Sequence, residues 1–218
     1  MGLSSDQLQH ALTALAQIEP AFQQAVERAG FPAPRLRERG YSTLLRTIVG
    51  QQVSVHAANA VWNRLDTAIG GAENPRNLSN ASDETLRAAG LSRQKSGYAR
   101  SLSDLILSDK LRLDDLPSDD EEAIALLTQV KGIGRWSAEI YLLFAEGRPD
   151  VWPAGDLAVQ IEVGRILGHA ERPSEKLVRE LAEAWRPHRG AAAIMAWHSY
   201  SIPRDKPLVE GAPDKLPL

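Results

Sequence analysis

The stretch Leu127-Thr128-Gln129-Val130-Lys131-Gly132-Ile133-Gly134-Arg135-Trp136-Ser137-Ala138 sets two glycines one residue apart at a break between helical patterns. Glycine permits positive φ and lets a backbone approach another surface closely. At the start of the second helix, N–H groups around Gly134 to Ser137 have no carbonyl one turn earlier and point outward. Such a turn can hold a phosphate through main-chain donors, with Lys131 and Arg135 adding charge. An ordinary tight helix–helix turn shows the same Gly-x-Gly spacing, so spacing alone leaves both readings open. A nucleotide-cofactor loop is a poor fit: Ser137 stands where a third glycine is needed, and an acidic helix precedes where a strand is required. Further along, Asp156 stands before the apolar segment 157–167, where a helix N-cap is expected.

Other chemistries are excluded by composition. The 218 residues contain no cysteine, which removes disulfides, thiol nucleophiles, thiolate zinc sites and cysteine-held iron–sulfur clusters. With 25 Lys and Arg against 28 Asp and Glu, the net charge of −3 argues against a coat protein that binds nucleic acid by bulk positive charge. Charge is nevertheless uneven. Residues 31–100 carry ten basic and five acidic side chains, whereas 101–130 carry two and eight. Either run can be a solvated helix face, or the first can be a confined basic surface.

Hydrophobic content of 43% with 24% charged residues predicts a packed core. The elements that must position the glycines are read as helices throughout. Leu8, Leu12, Leu15 and Ile18 form one stripe at helical spacing, and Leu44, Leu45, Ile48 and Val49 begin another. A helix over 53–69 would face inward through Val53, Ala57, Ala60, Val61, Leu65 and Ile69. Ser82 is a cap for 83–89, and Ser92 starts a helix through Tyr98, Leu102 and Ile106. Ser118-Asp119-Asp120-Glu121 has the capping-box pattern ahead of Ile124. Helices are also expected over 136–145, 157–167, 175–185 and 187–200, with a Gly/Pro-rich loop at 147–155. The Asn77-Leu78-Ser79 and Asn80-Ala81-Ser82 sequons are read as loop. No segment alternates as a strand would, so the expected class is all-α.

The Val130–Ala138 segment resembles the helix-hairpin-helix of base-excision DNA glycosylases, and Trp152-Pro153-Ala154-Gly155-Asp156 is similar to that superfamily's catalytic aspartate loop. Ile48-Val49-Gly50-Gln51-Gln52-Val53-Ser54-Val55, Leu91-Ser92-x-x-Lys95-x-x-Tyr98, and Trp185-Arg186-Pro187 with Trp197 downstream match as well. Together these motifs resemble the 3-methyladenine DNA glycosylase II branch of the HhH-GPD enzymes over about residues 40–200. The resemblance implies a two-lobed helical fold with the active site in the cleft between lobes. One lobe is expected at 42–148 with its hairpin at 130–134, the second at 1–41 plus 149–205, and a tail at 206–218.

The resemblance also implies roles. Asp156 would be the catalytic carboxylate, stabilising an oxocarbenium-like sugar and handling the attacking water. Asp150 is a competing carboxylate that matches the family less well. Trp136, Trp197, Ile140 and Leu157 would line the base pocket, the last two where aromatics can occur in relatives. Trp136 stands where bifunctional members carry a lysine, so strand cleavage through a Schiff base is not expected. Gln52 would be the wedge that fills the gap left by a flipped base. Lys131, Gly132, Gly134, Arg135 and Ser137 would hold the DNA backbone. Main-chain carbonyls of Thr128, Val130 and Ile133 would hold a monovalent cation, Na or K.

The expected activity is therefore monofunctional excision of alkylated purines of the 3-methyladenine and 7-methylguanine type, without an iron–sulfur cluster or catalytic cofactor. The alternatives are a glycosylase for oxidised or deaminated bases and a non-catalytic DNA-binding module. Expected partners are damaged DNA and downstream abasic-site processing enzymes, for a monomer. Residues 3–17 are broken by Asp6, Gln7, Gln9 and His10, and 190–203 is too short and polar to span a bilayer. No export signal and no membrane association are expected, and the expected location is cytoplasmic, at the nucleoid in a bacterium.

Overall fold

A computed structural model of the chain describes residues 2–203. Among these residues the α-helices are α1 (Ser5–Ile18), α2 (Ala21–Ala29), α3 (Tyr41–Gly50), α4 (Val55–Ile69), α5 (Pro75–Asn80), α6 (Asp83–Ala88), α7 (Arg93–Leu107), α8 (Asp120–Leu127), α9 (Arg135–Tyr141), α10 (Leu157–Ile166), α11 (Glu175–Ala182) and α12 (Arg189–Tyr200). A π turn, Leu142–Glu146, follows α9, and a 3-10 turn, Glu183–Trp185, follows α11. No strand occurs among the described residues, so the class is all-α. The segment 206–218, expected to be a tail, lies outside them. No helix is long and apolar enough to cross a membrane, again among the described residues.

The described chain divides into two compact units, residues 38–141 and residues 2–37 with 142–203. In the first unit α7 is the shared partner of α3, α5 and α6. Its inward positions are the small Ser96, Ala99 and Ser103 with Leu102, which lets neighbouring helices approach closely. The Tyr41 hydroxyl meets Ser103 Oγ at 2.8 Å inside this packing. Leu44, Leu45, Ile48 and Val49 of α3 are buried, each fully buried aliphatic contributing about 1.5–3 kcal/mol.

In the second unit α12 occupies the centre, packed against α1, α2 and α10. Every residue from Gly190 to Trp197 is buried. The N–H of Gly190 donates to Pro149 O at 2.8 Å, and a Cβ there would lie 2.6 Å from that oxygen. This close approach fixes the loop that leads to Asp156. Further along the loop Trp152 donates through Nε1 to Val178 O and meets Trp185 edge-on at 5.5 Å. Trp185 in turn meets Phe22 at 5.1 Å.

Several local expectations shift. Ile18 is exposed, so the α1 stripe ends at Leu15. The acidic helix is capped one residue later than expected: Asp119, not Ser118, accepts the Glu122 N–H at 2.9 Å. The α4 burial rests on Trp62 and Leu65, with Val53 outside the helix. Asn77, Ser79 and Asn80 are helical, because Asn74 caps α5 and Pro75 starts it. The helix after the hairpin widens into the π turn at Leu142 instead of staying α to 145.

Candidate functional site

In the unit 38–141 the turn after α8 is pinned from beneath by Leu127, Val130 and Ile133, all buried. Gly132 has φ +84, and a Cβ on it would stand 2.1 Å from Cδ2 of Tyr98. Only glycine fits there, for backbone and for space. Gly134 needs no positive φ; its Cβ position meets nothing within 4 Å, so the missing side chain leaves open surface. Three bonds hold the turn: Gln51 Nε2 to Gly132 O at 2.7 Å, Lys131 N to Ser101 Oγ at 3.1 Å, and Ile133 N to Val130 O at 3.0 Å. Ser137, half-buried, lies in the first turn of α9.

The two cations of the hairpin differ. Lys131 is exposed and its ammonium makes no ion pair among the described residues. Arg135, expected at the DNA backbone, is here a clamp between two carboxylates. Its guanidinium pairs with Glu121 across from α8, with Nη1 to Oε2 at 2.8 Å, and through Nε with Glu139 at 2.9 Å. Bonding to Glu121 leads the causes that hold its pKa above the ordinary arginine value. Glu139 is 2% exposed, so the guanidinium at 2.9 Å offsets part of the cost of burying its charge.

The α3–α4 turn lies against the hairpin. Gln52 is exposed with φ 57, a left-handed conformation uncommon for a residue with a side chain and one that clusters at functional sites. Its neighbour Gln51, which sequence reasoning passed over, supplies the bond to Gly132. Lys95 donates to Val49 O at 2.7 Å, joining α7 to the end of α3; burial pushes its pKa down. Trp136 is 38% exposed at the first turn of α9, whereas Ile140 is buried.

The second unit holds the carboxylates, and their surroundings separate them. Asp150 is gripped by two guanidiniums: Arg186 at 2.7 Å, and Arg189 at 2.9 Å and 3.0 Å on its two oxygens. It ties the loop to the start of α12. Asp156 is half-buried and caps α10, its Oδ1 accepting the Val159 N–H at 2.9 Å. The same oxygen accepts Nε1–H of Trp197, 41 residues away, at 3.1 Å. Gln160 Nε2 bonds Ala154 O at 2.7 Å, stiffening the loop just ahead of the aspartate. Leu157, half-buried, is the first residue of α10.

Trp197, expected to line the base pocket, is buried beside the aspartate. It is 0% exposed, its ring 5.6 Å from Phe144, and its polar edge is turned to Asp156. Its polar contact in this structure is with the carboxylate. Among the described residues no group of three or more His, Asp or Glu is placed to hold a metal ion.

Residues 45–187 match the HhH-GPD family, described as HhH-GPD superfamily base excision DNA repair protein. DNA-3-methyladenine glycosylase 1 of Schizosaccharomyces pombe is 31% identical over 170 residues, covering 76% of this chain and 75% of that one. The crystal structure of a DNA-3-methyladenine glycosidase from Bacillus halodurans aligns with a TM-score of 0.82 and 32% identity, covering 88% of this chain and 89% of the other. The Schizosaccharomyces pombe 3-methyladenine DNA glycosylase Mag1 in complex with abasic DNA aligns at a TM-score of 0.72 and 30% identity, covering 88% and 95%.

Proposed function

This chain belongs to the HhH-GPD superfamily of base excision DNA repair proteins, and from that premise we propose that it is a monofunctional DNA glycosylase for purines methylated at N3 or N7, leaving an abasic site. The observation that carries the reading is the Asp156 carboxylate, which receives two N–H donors on Oδ1 in a unit where Asp150 is taken up by arginines. The names of the similar proteins support the substrate class.

The reaction follows from that carboxylate. As the C1′–N bond breaks, its electron pair leaves with the base and positive charge develops on the sugar. Asp156 stabilises that charge and orients water, whose oxygen joins C1′ while its proton passes to the carboxylate or to solvent. A purine methylated at N3 or N7 is already cationic, so it accepts the electron pair and leaves neutral without a prior protonation. Trp136 offers no amine where bifunctional relatives carry lysine, so the reaction stops at hydrolysis. Its exposed ring suits a cationic base by electrostatic attraction to the π face.

Access to the base requires flipping the nucleotide out of the stack, at a cost of about a few kcal/mol. The hairpin takes the backbone through its main chain at Gly132, Gly134 and Ser137 with Lys131 beside them, and exposed Gln52 fills the vacated stack. The carbonyls of Thr128, Val130 and Ile133 suit a monovalent cation, being neutral oxygens. The Val130 carbonyl keeps a second lone pair beyond the one given to Ile133 N–H.

The test is release of N3-methyladenine and N7-methylguanine from duplex DNA. Wild type is expected to release both, and Asp156→Asn to lose about 10²- to 10⁴-fold in rate while still binding DNA. An Asp156→Asn protein as fast as wild type would refute the assignment of the carboxylate. Release of oxidised or deaminated bases alone would move the enzyme to another lesion class.

A further inference from the structure

On the face of the unit 38–141 beside the hairpin, α6 and α7 enclose a groove of about 400 Å³ whose walls carry Arg87, Arg93 and Arg100, with Asp83 as the acid among its lining residues. The acid is already used. Arg100 donates to Asp83 at 2.9 Å and to the carbonyls of Ser79 and Ala81 at 3.1 and 2.7 Å. Neither the Arg87 nor the Arg93 guanidinium makes a hydrogen bond or ion pair among the described residues. Arg135, Arg179, Arg186 and Arg189 show the contrasting pattern, each paired with a carboxylate. The groove therefore presents two uncompensated positive charges.

Its floor includes Gly97, in the interior of α7 and exposed. A Cβ there would meet nothing within 4 Å. Glycine inside a helix is less favourable than alanine, and no packing neighbour requires it here. Its effect is to leave the space between the arginines open.

The groove is held in register with the hairpin by α7 itself. Tyr98 underlies Gly132 and Ser101 accepts the Lys131 N–H. Arg93, Gly97 and Arg100 precede Gln94, Tyr98 and Ser101 by one residue each, so they form the adjoining face of the helix, about 100° around its axis.

We propose that this groove is a second DNA-backbone site, in which Arg87 and Arg93 take a phosphodiester of the duplex that the hairpin holds. The proposal rests on the DNA glycosylase reading and extends its footprint across α7. Guanidinium forks match phosphate oxygens in pairs, and two of them around an open floor suit that group.

The test is equilibrium binding of wild type, the Arg87→Gln/Arg93→Gln double variant and Gly97→Leu to a duplex carrying a stable abasic analogue, between 50 and 200 mM salt. Loss of one phosphate contact lowers the slope of log affinity against log salt by about 0.9, so the double variant's affinity deficit should shrink about 3.5-fold across that range. Gly97→Leu should weaken binding while raising the melting temperature. Wild-type affinity and slope in both variants would overturn the proposal. So would a double variant that loses only inhibition by inorganic phosphate, which would make this a small-anion site. Base release by wild type decides the underlying reading separately. A wild type inert toward methylated duplex, with the slope still lost in the double variant, would retain the groove and remove the enzyme.

Discussion

Gly132→Ala would place a Cβ 2.1 Å from Cδ2 of Tyr98, with the next two ring atoms at 2.5 Å, on a residue whose φ is +84. Two costs can be separated. Holding a non-glycine residue in the left-handed region costs about 1–2 kcal/mol. Forcing the tyrosine ring aside adds an overpacking cost of about 1–3 kcal/mol. The ring cannot swing away freely, because its hydroxyl bonds Gln94 and it underlies a turn tied by Gln51 and Ser101. The single variant should therefore lose about 2–5 kcal/mol. In a Tyr98→Ala background only the backbone cost remains, and Gly132→Ala should cost about 1–2 kcal/mol. Urea unfolding of the four proteins reads this as a double-mutant coupling of about 1–3 kcal/mol. Additivity within about 0.5 kcal/mol would show that the ring is not what forbids a side chain, and the account of the hairpin's geometry would fall.

Three further outcomes follow from the same contacts. Trp197→Phe removes the N–H that reaches Asp156, a bond to a charged acceptor with a net contribution of about 1.5–3 kcal/mol, so single-turnover base release should slow about 10- to 150-fold; a rate within twofold of wild type in the folded protein would deny the positioning role. Lys131→Gln should weaken DNA binding and lower its salt slope, whereas Arg135→Gln should leave the slope in place and cost about 1–3 kcal/mol of stability by removing the pairs with Glu121 and the buried Glu139, less than for a wholly buried pair because Arg135 is half-exposed; a slope change in Arg135→Gln would make it a phosphate contact. Burial pushes the Tyr41 phenol up to about 12, so the stability held below its unfolded pKa near 10 is lost as pH climbs toward 12, by about 2–3 kcal/mol; Tyr41→Phe should remove that part of the alkaline dependence, and identical alkaline profiles would refute it.

Which of these features could be read from sequence depends on how local their causes are. Ser82 and Ser92 were legible as caps because a hydroxyl and an N–H three residues later are sufficient. Asp119 takes the cap in place of Ser118 because either side chain can accept the N–H three residues on, and only the folded turn decides between them. The short α2 has Pro20 at its N-cap, which supplies no capping side chain, and the Ala21 N–H goes instead to Glu19, one residue before the proline, so the sequence carries no ordinary start signal. The π turn lies in a wholly apolar run, Leu142 to Ala145, where no periodicity marks a change of helix type.

The site divides in the same way. Gly132 and the Asp156 loop are compact motifs. The contact of Arg135 with Glu139 was available in principle as an i,i+4 pair, but its contact with Glu121 bridges two helices and is a product of packing. The partnership of Asp156 and Trp197 crosses 41 residues and depends on α12 lying at the centre of its unit. Sequence could supply both residues but not the bond between them.

Asp156 caps α10, and in the reaction proposed above it is also the reactive carboxylate; asparagine can do the first task without the second. A single base change in the gene can therefore yield a protein that folds, circulates and grips damaged DNA but releases nothing. Such a protein would be worse for a cell than a missing one. It would sit on methylated bases and hide them from every other repair route, so under a methylating agent its carrier should die faster than a cell with the gene deleted.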